Sequence, residues 1–203
     1  MATAGSGPRV YTLGAGTGRM TCTRLNLQQV PRQGGVRACI TADAGHTLIS
    51  ADFSGVELRV AAALSGDESL AAIIADGRDL HREIARQVWG PDAGKRERYS
   101  AKRIVFGRLY GGGIPTLAKQ GGVTEQLAGS AVDVLDSLTP GLSAWSRRVR
   151  EHVRQGDTRF RTYAGRVIYL PLAFPHKAPN YCIQGTAREL LVDALLRQDG
   201  HSR

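Results

Sequence analysis

Runs of apolar and polar positions divide the 203-residue chain unevenly. Residues 1–35 are rich in Gly, Thr and Arg and have no sustained period, which predicts loops or short strands. Alternation over Val36–Ala42 and Thr47–Phe53, around a "DAGH" turn, predicts two strands. From Val56 onward the period becomes helical. "VELRVAAALSG" predicts a short helix closed by Gly66, and "DESLAAIIADG" one with an acidic start and a glycine stop. "DLHREIARQVWG" repeats that design, opening on Asp79 and closing on Gly90. A longer helix is expected from about Arg96 to Tyr110, ended by three glycines, followed by helices over Pro115–Lys119 and Thr124–Leu138. "PGLSAWSRRVREHVRQG" is amphipathic, "RFRTYAGRVIYLP" alternates about a Gly turn as a hairpin does, and a last helix runs from near Asn180 to about Gln198. The sum is an α+β pattern, mostly helical with a small β element near the start.

Composition narrows the class. Hydrophobic residues make up 42% of the chain, typical of a globular protein, and no window approaches the roughly 20 apolar residues of a membrane span. The first ten residues lack a signal-peptide core. Three widely separated cysteines without CxxC spacing argue against a zinc or disulfide framework, so a cytoplasmic setting is expected. The net charge of +9 is concentrated: residues 1–90 hold 9 basic and 8 acidic side chains, residues 91–203 hold 18 and 10. Twenty-three of the 27 basic residues are Arg. Such asymmetry fits a polyanionic partner such as nucleic acid or nucleotide phosphates, and equally a solvated basic surface.

Two phosphate-binding motifs fail on inspection. "GAGTGR" carries Arg19 where the dinucleotide fingerprint needs glycine, and "GPDAGKRE" is one residue short of a P-loop and lacks Ser or Thr after Lys95.

The segment "RERYSAKRIVFGRLYGGG" carries more information. Arg98, Lys102 and Phe106 follow at i+4 steps, so on a helix they share a stripe roughly 80° wide and about 12 Å long. A guanidinium, an ammonium and an aromatic ring in that order suit a nucleoside triphosphate, with phosphates on the cations and base against the ring. A basic amphipathic helix with Phe106 and Tyr110 in the core has the same pattern.

"DFSGVELR" resembles motif A of the family A (Pol I-like) DNA polymerases, usually Asp-Tyr-Ser-Gln-Ile-Glu-Leu-Arg. "RYSAKRIVFGRLYG" resembles their motif B, Arg-x3-Lys-x3-Phe/Tyr-Gly-x2-Tyr-Gly. "TGR" at 17–19, "NLQQVP" at 26–31, "GRDLH" at 77–81, "YAGRVIYLP" at 163–171 and "NYCIQGTARELL" at 180–191 match in the family's order. The resemblance implies a partial polymerase palm over residues 1–59, including motif A, and a mostly helical fingers domain over 60–203.

It also implies roles. Asp52, with the backbone carbonyl of Phe53, would be a ligand of a pair of Mg²⁺ ions, and Lys102 a second catalytic group as candidate proton donor to pyrophosphate. Glu57 would be the steric gate against a ribose 2′-hydroxyl, hydrogen-bonded to Tyr110. Arg98, Lys102 and His81 would contact the dNTP phosphates, and Phe106 would stack on the nucleotide. Phe rather than Tyr at that position implies discrimination against nucleotides lacking a 3′-hydroxyl. Arg19, Asn180 and Gln184 resemble minor-groove contacts to primer–template DNA.

Departures accompany these matches. Gly55 replaces the usual Gln, Gly112 and Gly113 follow motif B, and Arg103 and Arg108 add charge to the motif B helix. The Val-His-Asp-Glu motif C, with the family's second catalytic Asp, is not found; Asp199 and His201 stand in the reverse order. The expectation is a DNA-directed DNA polymerase truncated before motif C and weak or inactive alone, using dNTPs and primer–template DNA beside nucleoid or phage replication machinery, with no membrane partner. Its alternatives are a non-catalytic nucleic-acid-binding remnant, or one half of a split polymerase completed by a second polypeptide.

Overall fold

A computed structural model describes residues 9–24, 26–31 and 33–199, in two compact units divided between Gly55 and Val56. His201 lies outside the described residues.

In the first unit, strand β1 (Arg9–Tyr11) pairs antiparallel with β2 (Thr21–Thr23), Val10 opposite Cys22. Leu27–Gln29 forms a 3-10 turn capped by Asn26, whose side-chain oxygen accepts from the Gln28 amide at 3.1 Å. The two strands expected over Val36–Ala42 and Thr47–Phe53 are not found. Val36–Cys39 is a 3-10 turn, and residues 40–53 are in neither helix nor strand. Alternation supplies only one side of a strand's requirement. The other is a partner for its N–H and C=O groups, and here Ile40 and Leu48 are exposed and Ile49 is 90% exposed. Gly55 has φ +61°, a left-handed conformation glycine enters without penalty, where the motif's usual Gln would be strained.

The second unit contains eight helices and one hairpin among the described residues. The helices are α1 (Val56–Ser65), α2 (Glu68–Ala75), α3 (Leu80–Trp89), α4 (Lys95–Leu109), α5 (Ile114–Gly121), α6 (Glu125–Leu138), α7 (Pro140–Arg154) and α8 (Ala178–Asp199). Strands β3 (Arg159–Arg161) and β4 (Val167–Tyr169) pair antiparallel. The α+β reading holds, and each expected helix is present with ends shifted by a few residues. No helix among the described residues is long and apolar enough to cross a membrane.

Caps explain several starts. Thr124 accepts from the Leu127 amide at the head of α6, and Asp79 accepts from the amides of His81 and Arg82 at the head of α3. Asp67 does more. One carboxylate oxygen accepts from Leu70 N at the start of α2, the other from Leu142 N near the start of α7, both at 2.8 Å. The side chain is 3% exposed, so one buried anion joins two positive helix ends.

Helix α4 runs through the core, with Ala101, Ile104 and Val105 buried against α3, α5 and α6. A Cβ at Gly107 would come within 2.6 Å of Leu117 Cδ2, so only glycine allows α5 this approach. The neighbouring Ser100 hydroxyl donates to Gly121 O at 2.8 Å. The hairpin is held to α8 by a buried group: Thr162 and Arg166 donate to Glu189 Oε1 at 2.7 and 2.8 Å, and Arg166 also donates to Gly185 O.

Candidate functional site

The core-facing residues of α4 leave the opposite stripe free to carry Arg98, Lys102, Phe106 and Tyr110. Lys102 is exposed, and its Nζ lies 5.9 Å from the centroid of the half-buried Phe106 ring. Phe106 stands 6.2 Å from the Tyr110 ring and 5.7 Å from the His81 ring, tilted to both. The stripe therefore has cations at its N-terminal end and rings at its C-terminal end, and Phe106 lies at the surface side of the core rather than within it.

Four helices contribute. Tyr110 Oη donates to Glu57 Oε2 of α1 at 2.9 Å, and Gln184 Nε2 of α8 reaches Glu57 Oε1 at 3.5 Å. Gln184 is buried, and Asn180, one turn earlier, is half-buried with an Oδ1 that has no hydrogen-bond partner among the described residues. Glu57 is thus gripped from two sides, although it comes 53 residues before Tyr110 and 127 before Gln184.

Arg98 pairs with Asp79, the residue that also opens α3. Its Nε donates to Asp79 Oδ2, while Oδ1 of the same carboxylate caps α3. Burial pushes the Asp79 carboxyl up, but the Arg98 hydrogen bond and the Arg82 amide outweigh it and hold it below its ordinary value. Helix caps are short-range signals; an ion pair 19 residues long has no sequence signature.

His81 is 7% exposed. Burial pushes its imidazole down to about 4, assisted by the charges of Arg98 and Lys102 and opposed by Asp79. Its Nδ1 is buried without a hydrogen-bond partner among the described residues. At neutral pH the ring is uncharged, so it can offer an N–H but no positive charge.

Arg108 does not add charge to this face. Two residues at about 100° each place it roughly 160° around α4 from Phe106, counted the short way. There it pairs with Asp136 of α6 at 3.7 Å. Arg103 is exposed and lies over Tyr99, 5.8 Å from the ring.

In the first unit, Asp52 and Phe53 lie in the irregular segment before α1, and both are exposed, as is Arg19. Neither residue ends a strand, as the expected Thr47–Phe53 strand would have had them do. Among the described residues no three His, Cys, Asp or Glu side chains cluster as a metal site would need.

The family model for DNA polymerase family A matches residues 8–202. The DNA polymerase of Mycobacterium phage D29 is 38% identical over 191 residues, covering 93% of this chain and 31% of that protein. DNA polymerase I of Chloroflexus aurantiacus is 33% identical over 207 residues, covering 93% of this chain and 22% of that protein. The chain therefore spans less than a third of the length of these relatives. Among solved structures, the POL domain of Pol1 from M. smegmatis, in complex with DNA primer-template and dNTP, superposes with a TM-score of 0.76 at 25% identity, over 95% of this chain and 38% of that one.

Proposed function

The chain belongs to DNA polymerase family A, and from that premise we propose that its second unit binds the incoming dNTP for template-directed nucleotidyl transfer to a primer 3′ end. The observation that carries this reading is the α4 stripe of Arg98, Lys102 and Phe106 beside the Tyr110–Glu57 hydrogen bond. The triphosphate lies along the N-terminal part of the stripe. Arg98 is held in place by Asp79 and presents its remaining N–H donors; Lys102 adds a mobile ammonium that can pass a proton to the departing pyrophosphate. The Phe106 ring takes the base, and the neutral His81 donates one N–H towards phosphate. Glu57, braced by Tyr110 and Gln184, occupies the space a ribose 2′-hydroxyl would need. Arg19, Asn180 and Gln184 contact minor-groove acceptors shared by all correct base pairs, which gives grip without sequence preference.

Members of this family are generally metal-dependent. The Asp52 carboxylate and Phe53 carbonyl are hard oxygen donors of the kind Mg²⁺ takes, and Mg²⁺ sites commonly combine one or two carboxylates with substrate phosphates. Two such donors cannot hold the ion alone, so Asp52 and Phe53 are assigned only as part of its ligand set. When bound, such ions stabilise the attacking and leaving oxygens of phosphoryl transfer.

The test is equilibrium binding of a fluorescent dNTP with Mg²⁺, with Lys102→Ala as variant. Losing one charge-assisted contact of about 1.5–3 kcal/mol weakens binding by roughly tenfold to a hundredfold. Equal affinity of parent and variant would count against the α4 face.

A further inference from the structure

On the side of α4 away from Phe106, the C-terminal end of that helix meets α6, α7 and the 3-10 turn Pro175–Lys177 around a cavity of about 300 Å³. Arg108, Asp136, Ser143, Arg147, Arg150 and His176 supply its polar wall. Among the described residues Asp136 is the only carboxylate in that wall. It is already engaged by the Ser143 hydroxyl at 2.6 Å and by Arg108 at 3.7 Å. Among the described residues neither Arg147 nor Arg150 has an acidic side chain within ion-pair distance. Three guanidiniums thus face one carboxylate, an excess that no described residue neutralises.

Arg150 registers that excess. Burial lowers its pKa from the ordinary value, Arg108, Arg154 and Arg147 lower it further, and Asp136 opposes them. Holding like charges together in a half-buried pocket is unfavourable unless an anion joins them. Planar guanidiniums match phosphate oxygens two at a time, and the Ser143 and Ser146 hydroxyls add donors at the same wall. The volume is at the small end of ligand cavities, enough for a phosphate with part of its sugar and too small for a base pair.

We propose that this cavity is a phosphate-binding site, separate from the α4 nucleotide face, taking either one backbone phosphate of a single nucleic-acid strand or a free phosphate-bearing molecule. Strand binding would hold nucleic acid on the side of α4 opposite Phe106. A free occupant would be a compact polyanion such as pyrophosphate.

The test uses the full chain in two arms. In the first, binding of a fluorescent oligothymidylate is followed by anisotropy across a salt series. For the double variant Arg147→Gln/Arg150→Gln, the slope of log affinity against log salt should shrink by about 1.4, two contacts at about 0.7 each for a single strand. Arg148→Gln, an equal charge change per residue on an exposed part of α7, should leave the slope unchanged. In the second arm, calorimetry with sodium pyrophosphate is run on Lys102→Ala, in which the α4 face is weakened; the binding that remains should be lost when Arg147→Gln/Arg150→Gln is added, if the occupant is free phosphate. The fluorescent dNTP assay at the α4 face responds to Lys102→Ala and not to Arg147→Gln/Arg150→Gln, so failure of the two assignments can be told apart.

A smaller slope in the first arm identifies a strand, and a change confined to the second identifies a free phosphate. No change in either arm overturns the proposal, as does an Arg148→Gln effect as large per residue as the double variant's. Displacement of the oligonucleotide by polyglutamate but not by pyrophosphate also overturns it, by pointing to a carboxylate ligand. If circular dichroism shows the double variant unfolded, Arg147→Gln alone decides, because Arg147 is exposed at the cavity rim and removes no packing; its slope should shrink by about 0.7.

Discussion

Lowering the pH should destabilise the second unit through one residue, His81. Its imidazole is pushed from 6.5 to about 4 by burial and by the nearby Arg98 and Lys102, against the pull of Asp79. The folded state therefore prefers the neutral ring, while the unfolded chain binds a proton at the ordinary value. Between these two values the unfolded state holds more protons, so stability rises with pH. The contribution is complete above about 6.5 and is lost as pH falls toward 4. The full shift corresponds to about 3 kcal/mol, at 1.36 kcal/mol per unit, and by about pH 5 some 2 kcal/mol of it should be gone. Urea unfolding of the parent and of His81→Gln, each at about pH 7.5 and about pH 5, isolates the effect, since every other titrating group is common to both. The parent should lose about 2 kcal/mol more than the variant on acidification. Equal losses, or an NMR titration of the His81 ring with a midpoint near 6.5, would refute the reasoning.

Other substitutions probe the remaining contacts. Asp67→Ala removes caps from both α2 and α7 and should cost about 2–3 kcal/mol, measured by chemical denaturation. Gly141→Ala should destabilise by about 1–3 kcal/mol in the same assay, because its Cβ would lie 2.9 Å from the Asp67 backbone. Arg166→Met strands the buried Glu189 carboxylate and should cost about 3 kcal/mol, with hydrogen exchange rising in β3 and β4 before the core of α4. Tyr110→Phe breaks an exposed hydrogen bond and should change stability by no more than about 1 kcal/mol. It should still raise the relative affinity for ribonucleotides over deoxyribonucleotides in competition binding, by freeing Glu57.

The helical part of the fold was legible because its signals are local. Asp67, Asp79 and Thr124 cap where the sequence placed starts, and the i+4 spacing of Arg98, Lys102 and Phe106 did produce a shared stripe. The strands at 36–42 and 47–53 were misread because alternation cannot reveal whether a pairing partner exists. Arg108 adds charge to α4, as the sequence indicates, and its angle on the helical wheel separates that charge from Phe106. The Arg98–Asp79 pair and the Arg166–Glu189 lock were invisible, since each joins elements many residues apart and depends on tertiary packing. The buried state of His81 was similarly hidden, because a histidine beside a cap gives no sign that an aromatic ring will cover it.

The proposed nucleotide binding requires Lys102 and Phe106 to form one face. Amine-selective modification of Lys102, followed by peptide mass spectrometry with and without dNTP–Mg²⁺, tests this directly. Saturating dNTP–Mg²⁺ should protect Lys102 while leaving the exposed Lys95 and Lys119 as reactive as before. Modification of Lys102 at the same rate in the presence and absence of nucleotide would contradict the central claim.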